Sequence, residues 1–191
     1  MEITGAGYPY VAKVDEENRL LVLAITRSME HESNQAHGDA YSLPFSVKPK
    51  AADDCIFYMK NTDDVDMTIE GVTYGATDPT ADEQIYFKLG DSGTRDSATT
   101  ATPTNLNSGS GKTATGEFEY GEDLGLGAGA ATLDGGTEFE RIVLAGVADK
   151  VSTSFNFSQD VILKKNGVLT IYIGSTFSGT YFLTLHFHYH N

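Results

Sequence analysis

The sequence lacks tryptophan and has a single cysteine, Cys55, among 191 residues. One cysteine cannot form an internal disulfide, which excludes a disulfide-stabilised scaffold. Basic residues are also scarce: Lys and Arg number 13 against 27 Asp and Glu, a formal net charge of −14. Nucleic acids and anionic membranes are bound through clustered basic residues. The composition therefore argues against both as partners.

Long apolar runs are absent as well. No window approaches the 18 apolar residues of a membrane-spanning helix, and the N-terminus lacks the basic-then-apolar layout of a signal peptide. We therefore expect a soluble protein that neither spans a membrane nor follows the usual secretory route. A chain of 191 residues corresponds to one domain, with or without an extended arm. Surface scaling predicts that about 70% of its surface is buried on folding, enough for a core without disulfides or metal.

Helical periodicity is limited to residues 20–35, where the apolar run at 20–25 suits a strand equally well. Elsewhere, β-branched and aromatic residues form short runs bounded by turn residues, which predicts strands. In residues 65–70, apolar and polar positions alternate until Gly71, where we expect that strand to end. We predict an all-β sandwich of jelly-roll type. Its strands are expected at residues 55–59, 65–70, 85–89, 139–144, 151–157, 161–163, 168–173 and 181–190.

The strongest turn signal is Asn166-Gly167, which lies between two apolar runs. Both residues tolerate positive φ, so the pair predicts a β-hairpin with a type I′ turn.

Residues 92–137 are small and polar, since 29 of the 46 are Gly, Ala, Ser or Thr. Such a segment is too poor in large side chains to make its own core. We expect an edge strand at 115–120 and otherwise long surface loops at one end of the sandwich. Two glycine-rich motifs in this segment, at 109–113 and 125–130, resemble nucleotide-binding loops. Neither has the required strand before it and helix after it, so we read both as loops.

Three histidines alternate along the last predicted strand, which places them on one face, opposite the core side chains of 181–189. Imidazoles in this pattern can bind zinc, nickel or copper. A partly exposed strand face or a subunit contact is the reading we prefer, and no carboxylate adjoins them in sequence. The sequence thus predicts no cofactor, with a metal site kept as a hypothesis for His186, His188 and His190.

No catalytic constellation is present. Cys55 follows two aspartates and opens an apolar strand, which indicates a core cysteine rather than a thiolate nucleophile. Oxygen ligands for calcium occur at residues 61–66, but a solvated turn is the preferred reading. We therefore expect no enzymatic activity, the alternative being a polysaccharide-degrading jelly roll.

Several segments in order along the chain resemble a group of tailed-bacteriophage virion proteins, described as structural or head decoration proteins. These landmarks are GYPYVAKV at 7–14, NRL at 18–20, EH at 30–31, GDAY at 38–41, IFYMKNTDD at 56–64, TPTNLNSGSGKTA at 102–114, LDGGT at 133–137, SFNF at 154–157 and VILKKNG at 161–167. Their spread over nearly the whole chain favours a full-length relative over a shared motif. The C-terminal histidines depart from the group.

The resemblance implies a β-sandwich virion component without enzymatic activity. Our leading hypothesis is capsid decoration, with the major capsid protein as partner and the outer surface of the phage head as the location. A homotrimer is the expected assembly, because jelly rolls commonly close threefold assemblies and local threefold sites of a capsid match that symmetry. Residues 1–35 are expected to form an arm in which Tyr8, Pro9 and Tyr10 contact the capsid or another subunit, and residues 36–191 to form the sandwich. Alternatively, the first residues are a strand of the same domain. A second functional reading is a tail- or fibre-associated module that binds host glycans through the loops of 92–137.

Overall fold

Two antiparallel β-sheets packed face to face make up most of the described part of the chain, which confirms the predicted all-β sandwich; the jelly-roll connectivity stays a prediction. The computed structural model describes residues 13–14, 20–21, 37–77, 83–125, 133–144, 152–174 and 179–190. Near the N-terminus, β1 (Lys13–Val14) and β2 (Leu20–Leu21) pair with each other in a small sheet of their own. The predicted boundary at residue 35 lies outside the described residues.

The larger sheet has six strands in the order β10-β6-β12-β4-β9-β7. Its central strands are rich in β-branched and aromatic residues, and β12 is buried along its full length. The strands are β4 (Asp54–Asn61), β6 (Glu83–Leu89), β7 (Thr99–Thr100), β9 (Gly116–Tyr120), β10 (Thr137–Leu144) and β12 (Val168–Ile173).

The second sheet has five strands in the order β11-β5-β13-β3-β8. The predicted last strand is confirmed and lies at the centre of this sheet. The strands are β3 (Ala40–Val47), β5 (Met67–Ala76), β8 (Thr104–Asn105), β11 (Ser152–Leu163) and β13 (Tyr181–Tyr189).

The main core fills the space between the sheets. Its rings meet across the interface: Phe45 of β3 stacks on Phe57 of β4 with centroids 4.7 Å apart, and Phe118 of β9 lies 5.5 Å from Phe187 of β13. Side chains from facing sheets interdigitate in this way in aligned sandwiches. The inward positions of β13 are buried as the alternation predicts, at Tyr181, Leu183, Leu185, Phe187 and Tyr189.

The predicted hairpin at Asn166-Gly167 is wrong. Strand β11 ends in the five-stranded sheet and β12 begins in the six-stranded one, so the turn carries the chain from one sheet to the other. The backbone N–H of Gly167 donates to the Lys164 carbonyl at 2.7 Å, which makes Lys165 and Asn166 the central residues. Positive φ occurs at Asn166 (66°) but not at Gly167, the pattern of a type II turn rather than type I′.

Two further strand boundaries differ from expectation. Gly71 does not end β5, which continues to Ala76, and the segments predicted as 151–157 and 161–163 form one strand, β11. Both differences arise at one irregularity. Glu70 is an extra residue in β5 relative to β13, and opposite it β11 bulges between Asn156 and Val161. A glycine within a strand commonly marks such a bulge.

Candidate functional site

The three C-terminal histidines have unequal environments. His186 and His190 are half-buried, whereas His188 is 3% exposed, so the expectation of a partly exposed face is wrong for His188. Its partners across the sheet, Thr68 of β5 and Ala40 of β3, are equally buried. This end of the sheet's outer face is therefore covered.

A carboxylate adjoins the histidines in space although none does in sequence. The bulge in β5 places Glu70 Oε1 2.7 Å from His188 Nδ1. The contact is short but bent, since Nδ1 makes no hydrogen bond of regular geometry. Sequence reasoning missed Glu70; the available signal was Gly71, because a glycine inside a strand pattern predicts a bulge that redirects its neighbour.

The other ring nitrogen of His188 points at His190. The two Nε2 atoms are 3.2 Å apart, and the ring centroids are 4.7 Å apart. One imidazole donates and the other accepts, depending on the tautomers. Glu70, His188 and His190 thus form a continuous polar chain. Within the described ranges, no group of three or more His, Cys, Asp or Glu side chains is arranged to hold a metal ion.

Part of the predicted loop segment 92–137 lies against the outer face of the six-stranded sheet. Tyr172 alternates with the core residues Ile171 and Ile173, so it faces outward. There it joins a second apolar cluster to which the loops contribute Leu124 and Leu133. The segment is therefore partly a cover for the sheet rather than a set of free loops. The strand expected at 115–120 is confirmed as β9, but its predicted edge position is wrong, because β7 pairs with its outer side.

Buried Asp91 fastens this cover to the sheet. Its carboxylate accepts hydrogen bonds from the Tyr172 hydroxyl at 2.9 Å, from the Gly136 backbone N–H at 2.7 Å and from the Thr170 hydroxyl. The next residue, Ser92, forms a backbone bridge to Asp134. A carboxylate with several donors is well satisfied in a buried site, so Asp91 has a structural role.

Beside the cover lies an open groove of about 710 Å³. The Arg95 guanidinium stacks over the Tyr58 ring at 3.9 Å and pairs with Glu117 at 2.6 Å and with Glu119. Lys60 approaches the same Glu117 at 3.4 Å. Fixed charged groups along an open groove suit a polar ligand such as a sugar.

A smaller, apolar groove of about 310 Å³ lies where the edge strands of the two sheets adjoin. Phe139 of β10 is 37% exposed and Ile162 of β11 is 50% exposed. Phe157 packs under Phe139 with centroids 5.6 Å apart. We call this surface the apolar groove; Leu89, Phe139, Phe157 and Ile162 line it, together with Val161 and the carboxylates of Glu140 and Asp160. It is composed of residues distant in sequence, so strand patterning gave no sign of it.

Cys55 is buried, as predicted for a core cysteine. Desolvation is the main cause that raises the pKa of its thiol to about 12. A thiolate nucleophile needs the opposite shift, so Cys55 acts as a packing residue.

The remaining predicted sites are placed as follows. Tyr8, Pro9 and Tyr10 lie outside the described residues. The motif at 109–113 is a turn region in which the Ser110 N–H donates to the Asn107 carbonyl, and that at 125–130 is described only at Gly125.

Comparison with family models, with curated proteins and with solved structures finds no match for this chain. Across the described ranges, no helix has the length and apolar character required to cross a membrane.

Proposed function

We propose that this protein is a non-enzymatic virion structural protein of a tailed bacteriophage, a decoration protein that binds the outside of the head. The observation that carries the proposal is that landmarks of the sequence resemblance, although distant along the chain, contact one another in pairs. Contacts of this kind are expected if the landmarks belong to one shared fold.

The first pair joins the landmark at 38–41 to that at 102–114. Asn105 donates a side-chain hydrogen bond of 2.7 Å to the Gly38 carbonyl, and Lys112 Nζ lies 2.8 Å from both carboxylate oxygens of Asp39. Gly38 has positive φ (66°), and an added Cβ would lie 2.3 Å from Ser110 Cβ. A glycine is therefore required where the two landmarks meet.

The second pair joins the landmark at 56–64 to that at 161–167. Fully buried Asn61 donates to the carbonyls of Val65 and Leu163, each at 2.8 Å. Its backbone carbonyl accepts from Asn166 at 2.7 Å, and its N–H donates to Gly167. One asparagine thus fixes the turn that links the two sheets.

In the proposed role, the protein adds buried contact area across neighbouring capsid subunits and resists the pressure of packaged DNA. Exposed Phe139 and Ile162 of the apolar groove, with the arm residues Tyr8, Pro9 and Tyr10, supply the contact. Apolar and aromatic side chains contribute disproportionately at interfaces. A homotrimer matches local threefold sites of a shell, and a jelly-roll connectivity of the sandwich belongs to the same proposal. The charge of −14 opposes direct contact with DNA.

The test is co-sedimentation of the purified protein with heads assembled without it, with isolated tails and host cells in parallel. Saturable binding to heads at a fixed ratio to the major capsid protein is expected. Binding to tails or cells without binding to heads would contradict the proposal.

The contact surface is tested with Ile162→Asp, which places a charge in the apolar groove. We expect weaker binding to heads, while Phe182→Asp, at an outward position of β13 that is 51% exposed, serves as the matched control. Equal effects of the two variants would exclude the groove as the contact.

The open groove beside Tyr58 and Arg95 favours a second candidate function, a tail- or fibre-associated module that binds host glycans. Loops held on a rigid sandwich suit recognition. Binding to host cells that Arg95→Ala abolishes, without affinity for heads, would favour this function.

A further inference from the structure

We infer that His188 and His190 form a binding site for a borderline divalent transition metal ion such as Zn²⁺, with Glu70 as the outer carboxylate. The inference is independent of the proposed function. It rests on the chain of contacts at the C-terminal end of β13. There the half-buried carboxylate of Glu70, the buried imidazole of His188 and the half-buried imidazole of His190 lie next to one another.

The spacing of the two nitrogens fits a shared ion. Zinc–imidazole bonds are about 2.0–2.1 Å long, so two nitrogens bound at a tetrahedral angle are about 3.4 Å apart. The Nε2 atoms of His188 and His190 are 3.2 Å apart. The two nitrogens are therefore close to ligand spacing, and the rings must rotate so that both lone pairs face the ion.

Glu70 has the position of an outer-sphere carboxylate. Ligand imidazoles commonly direct their other ring N–H at a carboxylate, which fixes the tautomer and raises the basicity of the metal-binding nitrogen. Glu70 Oε1 lies 2.7 Å from Nδ1 of His188, on the side of the ring away from His190. With the proton on Nδ1, the Nε2 lone pair of His188 is free to bind.

His190 reaches the binding form by a change of tautomer. Without metal, one proton lies between the two Nε2 atoms, because one must donate and the other accept. When the proton of His188 is at Nδ1, next to Glu70, the proton between the two rings belongs to His190 Nε2. Metal binding requires that this proton moves, through solvent, to Nδ1 of the His190 ring. Water or an outside donor completes the coordination.

Imidazole ligands select for zinc, nickel, cobalt or copper rather than magnesium or calcium. The ion is expected to hold the C-terminal end of β13 in place. Because binding to the folded state in preference to the unfolded chain stabilises the protein, the thermal unfolding temperature should rise with metal concentration.

The experiment is isothermal titration of Zn²⁺ into the full chain without a histidine tag, with Mg²⁺ as the comparison ion. One Zn²⁺ per chain is expected, and no heat with Mg²⁺. His190→Gln should abolish binding, and Glu70→Gln should weaken it by about 10- to 100-fold. The matched control is His186→Gln, on the same strand but opposite Gly71 across the bulge, which should leave binding unchanged.

Nitrogen-15 spectra of the histidine rings give a second measurement, independent of affinity. Zn²⁺ should shift Nε2 of His188 and His190 and leave His186 unaffected. Absence of Zn²⁺ binding to the native chain, or binding that His190→Gln leaves intact, would overturn the inference.

Discussion

At the scale of single residues, a few buried polar groups hold the loops to the two sheets. Asn61, Asp91 and Asp54 are each at most 1% exposed. A buried polar group is tolerated where its hydrogen bonds are made, and it is costly where they are lost.

Burial of Cys55 could be predicted from its position in an apolar run of the sequence. The roles of Asn61 and Asp91 could not, because their partners are distant in sequence.

Asn61→Ala should destabilise the protein by about 2–4 kcal/mol, because it leaves the buried carbonyls of Val65 and Leu163 without their donor. Urea unfolding measures the change. The matched control is Asn156→Ala, at an exposed position of β11, which should stay within about 0.5 kcal/mol. Equal losses from the two variants would contradict the role of Asn61.

Asp54 should make stability depend on pH. Desolvation by burial is the main cause that raises the pKa of its carboxyl above the ordinary 3.8, although the Lys50 and Ala51 N–H groups donate to Oδ2 and oppose the rise. Between the pKa of the unfolded state and the raised pKa of the folded state, the folded protein therefore retains this proton while the unfolded chain has released it. The contribution of Asp54 to the free energy of unfolding falls as the pH rises through this range.

Asp54→Asn does not ionise at this position. The free energy of unfolding of this variant relative to the native protein should therefore increase from about pH 4 to about pH 7. Urea unfolding across this range makes the comparison. A difference that stays constant with pH would contradict the assignment to Asp54.

At the scale of elements, strand positions were largely predictable and strand partners were not. Alternation located β9 and β13 because each has one face on the main core. Short apolar runs bounded by turn residues located β6 and β12, which are buried on both faces. The turn at Asn166 has the local chemistry of a hairpin, yet Asn61 binds both of its flanks and directs the strands into different sheets. Local sequence specifies a turn, whereas the sheet that each strand joins depends on distant residues.

Gly71→Ala tests the irregularity in β5. An added Cβ would lie 2.4 Å from the Phe155 carbonyl oxygen, a backbone atom of β11 that cannot move without disturbing the pairing. We expect a loss of about 1–3 kcal/mol, as for other overpacked sites.

Gly109→Ala is the control, since the nearest atom to its added Cβ is 3.5 Å away in an exposed turn. It should change stability by no more than about 0.5 kcal/mol. Urea unfolding measures the stability of both variants. An unchanged stability of Gly71→Ala would contradict the prediction and show that β11 accommodates a side chain at this position.

At the scale of the whole molecule, the strand patterning and turn residues predicted the all-β fold class. Only part of the Glu70–His188–His190 chain was predictable from the sequence. The histidines alternate along the last strand, whereas Glu70 lies next to them because of the bulge in β5. The apolar groove was not predictable, since its residues come from the edges of two different sheets. The proposed role as a decoration protein combines this fold with the paired landmarks and the exposed apolar edge.

The most direct test of that role is the temperature at which heads release their DNA, measured with a DNA-binding dye on heads assembled without this protein and then saturated with it. A cement protein adds contacts that hold neighbouring capsid subunits together, so the release temperature should rise on saturation, and rise less with Ile162→Asp. Heads that bind the protein at a fixed ratio but release DNA at an unchanged temperature would contradict the account.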